Sequence, residues 1–513
     1  ARAGFTVLHP LIGVRGQPVS VTHGDGTVEQ SRWPENIEPW QPFMDISAIT
    51  HRVADGIEAE TRFVGDIFEM EDQRNWTDAS YKTYVRPLAL PWPYRIEAGV
   101  PLRQGVNLTI RASDDAVEAP AADGPIRLQL ANTGLALPEI GLGLRPECRD
   151  AEMAAVDTLA ESGATHLIAH LDPLAGHGLT ALQAYAGIAE KSGLKVTLEL
   201  VVPCIRALDD ELAEIAVLVA EAGLVVETLF VSPAVDRQST PPGSAWPDCP
   251  PLDEVYAAAR KAFPGIRLGG GMLSYFTELN RKRVPGEAID IVSHCTNPIV
   301  HAADDLSVMQ SFEALADVVA SVRAIYSDKP YRIGPSTIAM RQNPYGSATK
   351  DNPTLSRIPM ANIDPRHNGQ FGAAWTLAYA ATVAAAGLEV LTLATLAGPF
   401  GLVASKGEPV EEGAMRPLGT VIAALATLAG RALVAVTSSR PAVVLGLGAL
   451  NADGTTTLLL ANITPETQTV TLEGVFGSIE LLDLAGQGHA GFAPLGAAGT
   501  VVLGPYACAR LMV

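Results

Sequence analysis

Hydrophobic and polar positions change rhythm twice along this chain. Up to residue 136, short alternating runs such as 57–63 and 105–110 lie between turn residues and aromatics. That two-residue period marks half-buried strands, and no helical period stands out. From about 137 to 431, short apolar runs alternate with Ala-, Glu- and Leu-rich stretches of helical period. Eight runs read as strands: 140–144, 165–170, 195–201, 227–231, 267–272, 290–294, 331–334 and 388–393. Stretches 151–162, 181–192, 209–222, 252–263 and 312–325 read as helices. Several helices run into Gly163, Gly193, Gly223 or Gly387 just before a strand, the position where a left-handed residue ends a helix. From 432 onward alternation returns, in runs such as ALVAVTS and TTTLLLANI, with 451–454 as a hairpin turn.

The pattern predicts an α/β chain with a central (β/α)8 TIM barrel over 137–431, between an N-terminal β-sandwich-like domain (1–136) and a C-terminal β domain (432–513). No GxGxxG follows the first strand, which argues against a dinucleotide fold. β domains flanking a barrel are common among carbohydrate-active enzymes, so the expected architecture is glycoside-hydrolase-like; fold alone does not give function.

Composition narrows the partners. Of 513 residues 48% are apolar, enough for large cores, and 36 basic against 56 acidic residues leave a net charge of −20. No basic patch offsets that charge, so neither nucleic acid nor an anionic membrane is an expected partner. The five cysteines (Cys148, Cys204, Cys249, Cys295, Cys508) show no CxxC spacing and no disulfide framework. A reducing, cytoplasmic location is expected. The apolar stretches 375–388 and 421–429 are too short to span a membrane and read as buried helices. The opening ARAGFTVLHPLIG lacks the continuous apolar region of a signal peptide.

In a barrel, chemistry belongs at the carboxyl ends of the strands. Alternation along 195–201 turns Thr197 and Glu199 inward, so Glu199 is a candidate general base whose pKa burial would raise; a structural ion pair is the competing use. His294 ends the sixth strand, with Asn297 in the loop beyond; the histidine can exchange a proton or polarise a carbonyl, or merely bond a neighbouring strand. After the fifth strand, the triple glycine 269–271 permits close approach of a ligand or a packed neighbour. A loop bearing Tyr275, Glu278 and Asn280 follows, with a phenol, a carboxylate and an amide able to grip a polyol. Glu278 is the alternative base. His166, His170 and Asp172 share one face of the second strand, with His177 beyond; the spacing matches no firm metal motif, and His170 is read as a substrate contact. Arg145 and Arg341, after strands one and seven, bind oxygens or make surface ion pairs. Strands four and seven end without the paired carboxylates of a retaining glycosidase.

One segment is unusually specific: Glu69-Met-Glu-Asp-Gln-Arg-Asn-Trp-Thr-Asp-Ala-Ser-Tyr-Lys-Thr-Tyr84, followed by Arg86-Pro-Leu and Pro91-Trp-Pro-Tyr94. With the run GLGLRPE at 141–147 and the β–barrel–β order, it resembles the bacterial D-apionate lactonases. The resemblance spans the chain and implies hydrolysis of D-apionolactone to D-apionate in apiose catabolism, with no cofactor and a small sugar lactone as partner. It assigns no catalytic residue. Residues 68–88 either contribute to the site or lock the β domain against the barrel through a buried polar network. The competing functions are a glycoside hydrolase with displaced carboxylates and a non-catalytic carbohydrate-binding protein.

Overall fold

A computed structural model describes residues 4–91, 93–113, 124–240, 245–345, 348–408, 410–472, 477–484, 491–496 and 499–513. The chain packs as two units. One comprises Ala1–Ala122, Ser239–Pro247 and Gln310–Ala324; the other comprises Asp123–Gln238, Asp248–Met309 and Ile325–Val513.

The second unit holds the barrel. Among its described residues eight parallel strands form the ring in chain order, Glu139–Leu144, His166–Leu171, Lys195–Val202, Thr228–Pro233, Arg267–Tyr275, Ile291–Cys295, Tyr331–Ile333 and Val390–Ala397, and a short ninth, Gly401–Val403, pairs parallel with the last. The eighth pairs with the first and closes the ring. The wall is covered on both faces, so strands such as Thr228–Pro233 are buried throughout. Leu179–Ser192, Leu208–Glu221 and Leu252–Ala262 are the expected helices after strands two, three and four. The helix expected over 151–162 is instead two, Arg149–Ala154 and Val156–Ser162, and that expected over 312–325 starts earlier, as Asp305–Ile325. Gly163, Gly193, Gly223 and Gly387 have φ between 64° and 70°.

Register decides which side chains enter the lumen. Glu199 stands beside His170, and Ser293 beside Arg332. Arg332 donates from Nη1 to the Thr197 hydroxyl at 3.0 Å. Alternation then places Thr197, Glu199 and Val201 on the inner face, with Ser293 and Cys295, and turns His294 outward. The triple glycine serves close packing of the wall: a Cβ on Gly269 would lie 1.8 Å from the Phe230 ring, and one on Gly271, at φ +125°, 1.8 Å from the Ser293 carbonyl oxygen.

The strand Ile126–Ala136 pairs antiparallel with Ala432–Ser438 and, at its start, parallel with Gln468–Thr471. It therefore belongs to the C-terminal sheet, although the expected N-terminal domain of 1–136 included it. Alternation identifies a strand but not its partner, which here lies about 300 positions away. Ile126, Leu128, Leu460, Val470 and Leu503 are in the core of this sheet. The helix Gln370–Val383 is buried on nearly every side and packs on strands Val444–Leu450 and Thr456–Asn462, which explains its unbroken apolar sequence. Among the described residues no helix is long and apolar enough to cross a membrane.

The first unit has a five-stranded antiparallel sheet and a three-stranded one, Thr6–Pro10, Ser80–Tyr84 and Glu69–Asp72. Trp33, Phe43, Phe63, Phe68 and Tyr81 fill its core. Arg74, wholly buried, donates to Asp72 at 2.6 and 2.8 Å, to Asp317 at 2.7 Å and to the carbonyls of Pro34 and Glu35 at 3.0 Å. Within the 68–88 segment, Arg74 and Asp72 thus tie together residues of this unit.

Candidate active site

Glu199, His170 and Arg341 meet inside the barrel. Glu199 Oε1 accepts from His170 Nδ1 at 2.6 Å and from Arg341 Nη2 at 2.7 Å. The carboxylate is 1% exposed, the histidine 14% and the arginine 10%. Burial alone would raise the Glu199 pKa, but Arg341 and then His170 outweigh it and hold the group down at about 2. The raised pKa expected from sequence is thus reversed. The carboxylate is an orienting anion rather than a base poised near neutrality.

With its Nδ1–H committed to Glu199, His170 keeps its lone pair on Nε2. Tyr185 Oη donates to the His170 carbonyl at 2.8 Å, and the ring meets His177 edge-on at 5.9 Å. Arg341 Nη1 reaches the Pro335 carbonyl at 3.2 Å and Cys295 Sγ at 3.6 Å. Of its five N–H donors, three are used on Glu199, Pro335 and Cys295, which leaves two without an acceptor among the described residues.

A string of alternating partners continues from His170 around the mouth. His177 lies 3.6 Å from Glu147, and Glu147 3.5 Å from Arg145, whose guanidinium covers the Phe400 ring at 4.9 Å. The His177 contact, against partial burial and with Arg145 adding to it, holds the Glu147 carboxyl at about 2. Beneath them Glu152 is fully buried and accepts from the Arg145 backbone N–H at 2.9 Å. Burial pushes its pKa up to about 8. The third strand repeats this device: Glu211, seven positions beyond Cys204, accepts from the Cys204 N–H at 2.8 Å.

A narrow pocket beside Arg341 is lined by Tyr275, Cys295, Asn297, Thr337 and Gln342. Tyr275 Oη donates to the Gln342 carbonyl at 2.6 Å. Asn297 donates to the carbonyls of Thr337, Ile338 and Ala339 at 2.9 to 3.1 Å and accepts from the Ile299 N–H at 2.9 Å. Both expected substrate contacts therefore line the pocket while binding its walls together.

Three other expected residues are not in this group. His294 faces outward and bonds through both ring nitrogens, to Tyr331 Oη at 2.6 Å and the Cys295 carbonyl at 3.0 Å. Burial lowers its pKa to about 4, so it is a neutral structural group. Glu278 and Asn280 lie on a buried helix, Phe276–Lys282, rather than on the expected loop. Its acidic first turn and basic last turn suit the helix dipole, and Glu278 pairs with Arg281 at 3.3 Å. Sequence reasoning missed Glu147, Glu152 and Gln342; the seven-residue spacing shared by Glu152 and Glu211 was the available signal. Among the described residues no group of three or more His, Cys, Asp or Glu stands close enough to hold a metal ion.

Residues 140–430 match the family described as D-apionate lactonase, TIM barrel domain; residues 1–113 match its N-terminal domain and residues 441–511 its C-terminal immunoglobulin-like domain. A protein of Brucella anthropi named D-apionate lactonase is 55% identical over 472 residues, covering 92% of this chain and 77% of that one. Among solved structures, a family 51 alpha-L-arabinofuranosidase from Bifidobacterium longum aligns with a TM-score of 0.52 at 13% identity, covering 76% of this chain and 100% of that one. A conserved exported protein from Bacteroides fragilis aligns with a TM-score of 0.51 at 8% identity, covering 76% and 100% respectively. At such identities the likeness is one of fold.

Proposed function

The chain belongs to the D-apionate lactonase family, and we propose that it hydrolyses D-apionolactone to D-apionate with His170 as the base, oriented by Glu199. The observation carrying the site assignment is the 2.6 Å bond from His170 Nδ1 to an ionised Glu199, which leaves Nε2 as the acceptor.

Water attacks the lactone carbonyl carbon while His170 Nε2 takes its proton, and the Glu199 carboxylate stabilises the resulting imidazolium. The uncommitted N–H groups of Arg341 donate to the carbonyl oxygen as it becomes an anion. When the tetrahedral intermediate collapses, the acyl carbon–ring oxygen bond breaks and the ring oxygen takes the proton back from His170. The product is the open hydroxy acid, which ionises. Arg145, partly open at the mouth, suits the carboxylate formed. The five free cysteines support a reducing, cytoplasmic setting.

A glycosidase reading has less support, since strand four ends in Ser232 and Pro233 and strand seven in Ile333, without carboxylates. The test is acid release, followed with a pH indicator, from D-apionolactone, other aldonolactones and aryl glycosides. Turnover of the lactone alone is expected. Turnover of glycosides without lactone opening would overturn the proposal.

A further inference from the structure

The walls of the pocket beside Arg341 leave the Gln342 side-chain oxygen unused. Tyr275 spends its hydroxyl on the Gln342 carbonyl, Thr337 its hydroxyl on the Ala339 carbonyl at 2.7 Å, and Asn297 its amide on three carbonyls and an N–H. The Gln342 side chain lines the same pocket, yet its Oε1 is shut off from solvent and has no hydrogen-bond partner among the described residues. Leaving an acceptor in that state costs about 1–3 kcal/mol. A native site tolerates this where a ligand supplies the missing donor.

The neighbouring residue strengthens the case. Arg341 is tied to Glu199, Pro335 and Cys295, so the backbone that carries Gln342 is fixed beside the reacting group. Tyr275 also holds Gln342 by its own carbonyl, leaving the side chain free to turn about a soft terminal torsion. An amide offers an acceptor and two donors, which matches adjacent hydroxyls on a ring.

We propose that Gln342 is a specificity-determining residue that reads a ring hydroxyl of the substrate, so that the site selects polyhydroxylated lactones over bare ones. The inference rests on the lactonase reading for its choice of substrate. A site built to bond a hydroxyl discriminates against the analogue lacking it because its own polar group is then stranded.

The test compares wild type with Gln342→Leu, whose fold should persist because the side-chain oxygen has no hydrogen-bond partner among the described residues. Two measurements are made: kcat/KM on D-apionolactone and on γ-butyrolactone, and calorimetric binding of the cyclic ether that carries the same hydroxyls but no carbonyl. The substitution should lower kcat/KM on the hydroxylated lactone about 10- to 100-fold, weaken ether binding in parallel, and leave γ-butyrolactone opening nearly unchanged. Equal losses on both lactones, no loss on either, or unchanged ether binding would overturn it. If wild type opens no lactone, the lactonase reading fails separately, and ether binding still decides: equal affinities, or no binding to wild type, reject the role of Gln342.

Discussion

Glu199→Gln keeps the shape of the side chain and removes its charge. In wild type the anion lies 2.6 Å from His170 Nδ1. A unit charge about 4 Å from the developing imidazolium is worth about 4 kcal/mol at an effective dielectric constant near 20. Losing it should lower kcat by about 10²- to 10³-fold, with KM changed little because the group is walled off from the ligand by His170 and Arg341. Stability should fall as well. Glu199 is held near 2 instead of 4.5, which corresponds to about 3 kcal/mol of favourable interaction. Because the folded pKa is depressed, that contribution is complete above about 4.5 and disappears as pH falls through about 2. Urea denaturation at pH 7 and steady-state kinetics on the purified lactone read the two effects. His170→Ala should lower kcat at least as far, and the double variant little further, since the pair acts as a unit. A folded Glu199→Gln protein with kcat within a few-fold of wild type would refute the His170 assignment.

Glu152 behaves in the opposite sense. Its folded pKa of about 8 lies above the ordinary 4.5, so wild-type stability falls between those values as pH rises. Glu152→Gln should therefore raise the melting temperature at pH 8 and have little effect at pH 4.5; equal shifts at both would show that the burial argument is wrong. Gly271→Ala drives a methyl group to 1.8 Å from the Ser293 carbonyl oxygen at a positive φ. A loss of several kcal/mol, seen as insoluble or unfolded protein on expression, is expected. Arg74→Leu strands Asp72 and Asp317 without their buried partner, and a fall of about 3–5 kcal/mol should appear in the urea midpoint.

Glu199 was legible because alternation along 195–201 has only one apolar face to offer the helices, and the same parity places His170 beside it. Its ionisation was not legible, since Arg341 arrives from 142 positions away. His294 shows the complementary failure. Its strand, Ile291–Cys295, is buried on both faces, so apolar character could not say which side chains point inward. Asn297 lines the pocket, but an amide that bonds three successive carbonyls cannot be told from a ligand contact until the chain it holds is in place. The barrel itself was readable because its strands repeat a local signal, while strand Ile126–Ala136 changed domains through a pairing that no local pattern encodes.

Strands three and seven stand on opposite sides of an eight-stranded ring, and Arg332 on strand seven and Arg341 in the loop beyond it reach across the interior to strand three, to Thr197 and to Glu199. In mechanical terms these are struts. A parallel barrel is held around its circumference by hydrogen bonds, and these two guanidinium groups add ties across its interior. Lysine at position 341 would retain the charge but surrender the planar fork, and with it the simultaneous reach to Glu199, Pro335 and Cys295.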